Sequence, residues 1–161
     1  MLKQLLFVAL VCLATSLSAQ QFPTPTIATV AQEPVELSDY VGKGKPTVIA
    51  IWATWCQPCH VELDHMKSYL DKWENDYGAT VLAISVDKRH TARNINRLVT
   101  RKGWEYDILL DADGKLQAKL GFNSIPQMYV LDGDGKIIET FTGYQPGREH
   151  QVDRLIKKLS K

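Results

Sequence analysis

Two short runs of this chain are apolar at nearly every position, Thr47–Trp52 and Thr80–Val86. Both are rich in β-branched residues and too short for buried helices, so they read as strands covered on both faces. Between them Leu63, Met66, Leu70, Trp73 and Tyr77 recur at spacings of three and four, which predicts a helix with one apolar face that stops at Gly78. Lys88–Lys102 is polar and basic, with a thin apolar stripe of Ile95, Leu98 and Val99, and predicts a surface helix ending at Gly103. Asp107–Leu110 then reads as a strand and Lys115–Leu120 as a short helix. Gln127–Leu131 and Lys136–Phe141 read as strands joined by the turn Asp132-Gly133-Asp134-Gly135, and Val152–Leu159 as a closing amphipathic helix. Residues 20–35, with Pro23, Pro25 and Pro34, suit an extended leader or an edge strand. Val35–Val41 suits a short strand or turn. The order of these elements implies an α/β fold, a mixed sheet with helices on both faces.

The chain of 161 residues has the length of one domain and an ordinary apolar fraction. Its formal net charge is +1 and no long run of one sign occurs, so neither nucleic acid nor an anionic membrane surface is indicated as a partner. The first nineteen residues stand apart. Lys3, the apolar stretch Leu5–Leu13 and the small-residue tail ending at Ala19 have the three-part pattern of a secretory signal peptide. Cleavage is expected after Ala19, leaving 20–161 as the mature domain in the periplasm or another extracytoplasmic space. The alternative is an uncleaved membrane anchor, for which the stretch is short. Cys12 is read as part of the apolar stretch, because Val11 stands where a lipoprotein would need a small residue.

That division leaves two cysteines, Cys56 and Cys59, in Cys56-Gln57-Pro58-Cys59 directly behind the first apolar strand. A thiol at the first turn of a helix meets unpaired N–H groups and the positive end of the helix dipole, which favour the thiolate. A partner three residues on lies on the same face, near enough to close a small ring. So tight a ring stabilises a fold little, so the pair is read as a redox-active disulfide with no other cofactor. Cys56, the more exposed, is the expected nucleophile, and Cys59, one turn deeper, the resolving thiol. Trp52 is expected in the core and Trp55 on the rim that touches partners. Gln57 and Pro58, between the sulfurs, tune the thiolate.

Trp52-Ala53-Thr54-Trp55-Cys56-Gln57-Pro58-Cys59 resembles the active-site segment of the thioredoxin superfamily. Within it the chain resembles the extracytoplasmic thiol–disulfide oxidoreductases of the TlpA/ResA type. Leu37-Ser38-Asp39-Tyr40 with Gly42-Lys43, Glu62, the stretch Ala79–Leu120 and Ile125-Pro126 carry that likeness. It implies a thioredoxin-like three-layer fold, a cis peptide at Ile125–Pro126 facing the cysteines and binding partners, and a proton-handling role for Glu62. It also implies a reductant of oxidised exported proteins, apocytochromes among them. The protein is expected to be a monomer and, being exported without direct access to cytosolic reductant, to take its electrons from a membrane thiol carrier. The direction of transfer stays open, an oxidant or a peroxide-linked role being the alternatives. The sequence departs from the pattern at Asp64, where many relatives have a helix-kinking proline, so a straighter helix is expected. Gln127 stands where Thr is usual, and Ala50 where thioredoxins carry a buried Asp.

Rival readings start from the same residues. Cys56-Gln57-Pro58-Cys59-His60 is also the attachment signal for c-type haem, with Met66 or Met128 as a distal ligand. The position of the motif between a buried strand and a helix argues against it and makes His60 an exposed helix residue. A zinc site would need His60 and His65 to complete it, at unsuitable spacing, so no metal is expected. Asp111-Ala112-Asp113-Gly114 and Asp132-Gly133-Asp134-Gly135 begin like calcium loops, but Lys115 and Lys136 occupy the fifth position, so both are read as turns. A thioredoxin-fold binding or chaperone module without redox turnover is the remaining alternative.

Overall fold

The structure, a computed structural model, describes residues 20–161. The expected signal peptide and Cys12 lie outside the described residues. Seven strands form one mixed sheet: β1 (Thr26–Thr29), β2 (Pro34–Glu36), β3 (Thr47–Trp52), β4 (Thr80–Ser85), β5 (Asp107–Leu110), β6 (Gln127–Leu131) and β7 (Ile137–Thr142). Their order is β2-β1-β5-β4-β3-β6-β7. The central strands β3, β4 and β5 are parallel, and β6, β7, β1 and β2 are added antiparallel at the two sides. The helices are α1 (Gln57–Lys67), α2 (Arg93–Lys102), α3 (Lys115–Leu120) and α4 (Arg148–Leu159).

Alternation along β3 divides the core in two. Val48, Ala50 and Trp52 point to the face that carries Leu63 and Met66 of α1, Ile95 and Leu98 of α2, and Val152 and Ile156 of α4. Ile49 and Ile51 point the other way, to Leu116 of α3 and to Phe22, Leu37 and Val41 of the N-terminal segment. Helices therefore cover both faces, unequally, and the proline-bearing leader supplies much of the second cover. It also supplies the edge hairpin β1–β2, paired to β5 through Ala28 and Thr29.

The stripe from Leu63 to Trp73 is buried as its spacing implies, but the helix is not straight. α1 ends at Lys67, and a wide turn at Lys72–Asp76 has π-helical bonding, with Tyr77 N donating to Lys72 O. Two local causes outweigh the lack of a proline at Asp64. The Ser68 hydroxyl donates to His65 O at 2.8 Å and Tyr69 N turns back to Met66 O, which breaks the regular ladder. Beyond the break the buried Trp73 aims its indole N–H at Asp153 of α4. Asp64 itself is engaged by Trp104 Nε1 and Lys102 Nζ.

Both suspected calcium loops are turns. Asp111 is buried, and its carboxylate accepts the backbone N–H of Leu116 and Gln117, capping α3. Asp132 accepts from the N–H of Asp134 and Lys136 across the β6–β7 hairpin.

Candidate active site

The chain leaves β3 at Trp52, which is fully buried, and enters α1 five residues later, at Gln57. The site thus lies outside the carboxyl ends of β3 and β4, where open parallel sheets leave a crevice. Cys56 is the N-cap of α1, extended at φ −95° and ψ 94°, and its sulfur accepts the Cys59 N–H at 3.3 Å. Gln57 and Pro58 fill the first two helical positions, where a proline has no intrahelical bond to lose. Both are exposed. Cys56 and Cys59 are joined in a disulfide with Cα atoms 5.3 Å apart. Cys59 is wholly buried and Cys56 is 5% exposed, so Cys56 is the sulfur within reach of a partner.

The loop before the nucleophile is held by an acid that sequence reading did not single out. Asp87, 1% exposed just past β4, accepts from Thr54 N at 2.8 Å, Thr54 Oγ1 at 2.7 Å and Ser85 Oγ at 2.7 Å. Cys56 N in turn donates to Ala53 O. An acidic residue at the carboxyl end of a parallel strand was the available signal. Asp87→Ala leaves these buried donors without an acceptor, so it is expected to lower unfolding stability by about 3 kcal/mol, measured by urea denaturation. A loss under 1 kcal/mol would contradict this account of the loop.

His60 is not exposed, as the helix position suggested, but only 8% accessible. Its ring meets Trp52 and Trp104 edge-on at 6.2 and 5.8 Å, and Nε2 lies 3.3 Å from Ala53 O. Trp104, between α2 and β5, closes the aromatic pocket that draws the imidazole inward, an association with no local trace in the sequence.

Glu62, one turn beyond Cys59, is also buried, at 3% exposure. Its Oε1 accepts from Arg148 Nη1 at 3.0 Å. Arg148 is itself 4% exposed, stacks over Phe141 at 4.9 Å and donates to Gly143 O. Gly143 N donates to Pro126 O. A continuous polar chain thus joins the Ile125–Pro126 loop to the helix that carries Cys59. Burial pushes the Glu62 carboxyl up to about 7, although the Arg148 charge and hydrogen bond pull it down. Arg148 is 86 positions from Glu62, and nothing around it marks it as a partner.

The Ile125–Pro126 peptide is cis, as the resemblance implied, and Pro126 is buried at the start of β6. Gln127 takes the Thr142 hydroxyl on its Oε1 and gives its N–H to Ser124 O. Trp55 is 69% exposed. With Val86, Phe122 and Ile125 it lines a groove of about 430 Å³ on the surface next to the disulfide. The structure therefore gathers Cys56, Cys59, Glu62, Trp55, Gln57 and Pro58 on one loop and helix, and Ile125 joins Trp55 across the groove.

Residues 18–140 match the model of the AhpC/TSA family. The chain belongs to that family. Thiol-disulfide oxidoreductase ResA of Bacillus anthracis is 26% identical over 141 residues, covering 88% of this chain and 78% of that protein. Among solved structures, a thioredoxin-like protein from Porphyromonas gingivalis superposes with a TM-score of 0.74 at 29% identity, over 86% of this chain and 91% of its own. A thiol:disulfide interchange protein of the thioredoxin family from Chlorobium tepidum gives 0.71 at 23% identity, over 89% and 97%. The fold is thioredoxin-like α/β, and the likeness to ResA-type proteins, read from residues 37–43, Glu62, 79–120 and 125–126, holds along most of the chain.

Proposed function

We propose that this thiol–disulfide oxidoreductase acts outside the cytoplasm as a reductant of disulfides in exported proteins. The observation that carries the reading is the placement of Cys56 at the N-cap of α1, in front of a buried Cys59 with Glu62 one turn behind. In the dithiol form the Cys56 thiolate attacks one sulfur of the partner's disulfide, and the other sulfur leaves as a thiolate that takes up a proton. Cys59 then loses its proton to Glu62, attacks Cys56 and releases the partner's second thiol. Two electrons pass to the partner, and the Cys56–Cys59 disulfide remains to be reduced again. A carboxylate titrating near neutrality suits that proton transfer. Pro126 and Ile125, with Trp55, would receive the partner's chain beside the sulfurs.

Electrons would come from a membrane thiol carrier, since an exported protein has no direct access to cytosolic reductant. The expected signal peptide supports export, and among the described residues no helix is long and apolar enough to cross a membrane. The haem reading is disfavoured by the site itself: the sulfurs that would take the vinyl groups are joined to each other, and His60 is turned into an aromatic pocket. A Soret band in the purified protein would reverse that judgement.

The direction of transfer is set by the potential, where a tenfold change in equilibrium is about 30 mV. Titration of the Cys56–Cys59 couple against dithiothreitol is expected to place it nearer about −270 mV, the range of reducing thioredoxins, than about −120 mV. A value at the oxidising end would reverse the assigned direction.

A further inference from the structure

Helix α2 carries a charge pattern that its own folding does not require. From Lys88 to Trp104 the chain has six lysines and arginines and no acidic residue. Two of the six are neutralised within the molecule, Arg89 by Asp113 and Lys102 by Asp64. Arg93, Arg97 and Arg101 are four residues apart, all exposed, and none has an acidic partner among the described residues. Like charges at that spacing repel, and a cation in the first helical turn opposes the dipole. Arg101, in the last turn, suits the dipole, but Arg93 and the repulsion along the row cost helix stability.

Its position is next to the disulfide. Arg97 and Arg101, with Asn94 and Leu98, share a surface hollow of about 260 Å³ with Thr54, two residues before Cys56. Lys88 lines the separate groove that holds Trp55, Phe122 and Ile125. The exposed indole of Trp55 thus shares its groove with Lys88, and its chain neighbour Thr54 shares a hollow with Arg97 and Arg101. Asp87, the acid in this region, is buried and taken up by Thr54, Ser85 and Thr91.

We propose that the Arg97–Arg101 face of α2 docks an acidic segment of the protein whose disulfide Cys56 attacks, while an apolar side chain of that segment rests on Trp55. The proposal rests on the exchange activity argued above. Charge complementarity selects the occupant. With a net charge of +1 the whole molecule lacks the broad positive field that nucleic acids or anionic bilayers call for, and the apolar side of α2 is spent in the core. A few carboxylates close to a scissile disulfide fit a row this short. Such contacts at an exposed rim act chiefly on encounter and register.

The test uses two synthetic peptides with the same internal disulfide, one with Glu and one with Gln at the flanking positions. Reduced protein is expected to react about fivefold faster with the Glu peptide at low ionic strength. The ratio should fall to about one in 0.5 M salt, where charges are screened within a few ångströms, and in Arg97→Gln/Arg101→Gln. Equal rates for both peptides in the unaltered protein, or a ratio that survives the double substitution, would overturn the proposal. So would binding of phosphatidylserine vesicles or a single-stranded oligonucleotide that depends on Arg97 and Arg101 while the peptides are not distinguished. Reaction with the uncharged bis(2-hydroxyethyl) disulfide checks exchange separately. Should that reaction fail, the fluorescence anisotropy of the two labelled peptides with the oxidised protein still decides the docking claim, by a preference for Glu that is present or absent.

Discussion

Cys56→Ser is expected to lower thiol–disulfide exchange by roughly three orders of magnitude or more, because the attacking thiolate is removed rather than weakened. Cys59→Ser should behave differently. Cys56 can still attack, but no sulfur behind it can displace the partner, so the reaction stops at one equivalent of mixed disulfide. The two variants are told apart by mass: the Cys59→Ser protein carries its partner covalently, and the Cys56→Ser protein does not. The asymmetry follows from burial. Cys56 is at the N-cap with a sliver of accessible surface, whereas Cys59 has none. If Cys56→Ser trapped partners and Cys59→Ser did not, the roles would be reversed and the proposed order of steps would fail. Partners recovered on Cys59→Ser would also report whether acidic residues flank their disulfides.

Arg148→Met is expected to destabilise the protein by about 3–5 kcal/mol at pH 8, the usual cost of stranding one member of a buried ion pair. The pH dependence makes the prediction sharper. The folded Glu62 carboxyl titrates near 7, above its ordinary value of 4.5, so between those values the folded state holds more protons than the unfolded one. The contribution of Glu62 to stability therefore falls as pH rises through that window and is level above it. Without the Arg148 charge, burial acts unopposed and the folded pKa moves further up. The fall then continues past pH 7, and the difference between Arg148→Met and the unaltered protein should widen from pH 5 to pH 8.5. Glu62→Gln in the same background should recover much of the loss at high pH, since no charge is then left unpaired. Urea denaturation across that range checks all three statements, and a gap independent of pH would refute them. A loosened Arg148 should also be felt at Pro126, through Gly143.

Much of this architecture could be read from residue order. The two nearly all-apolar runs became central parallel strands because only a strand covered on both faces has no polar side to show. The cysteine pair announced its chemistry through spacing and position alone, since a strand end, a proline and a helix start are local features. The helix break after Lys67 is local as well, but it depends on a serine hydroxyl finding His65 O, which competing backbone geometries leave undecided until the helix is packed. Residues whose meaning depends on distant partners were beyond such a reading. His60 turns inward because Trp52 and Trp104 meet over it, and Asp87 matters because Thr54 folds back onto it. Glu62 was marked by the resemblance, but its burial and its ion pair came only with α4, which begins 86 residues later with Arg148. Short-range pattern specifies which segments bury themselves and where a thiol meets a helix end. Which charges are sealed together is decided only when the layers close, because desolvation belongs to the assembled core and to no single stretch of chain.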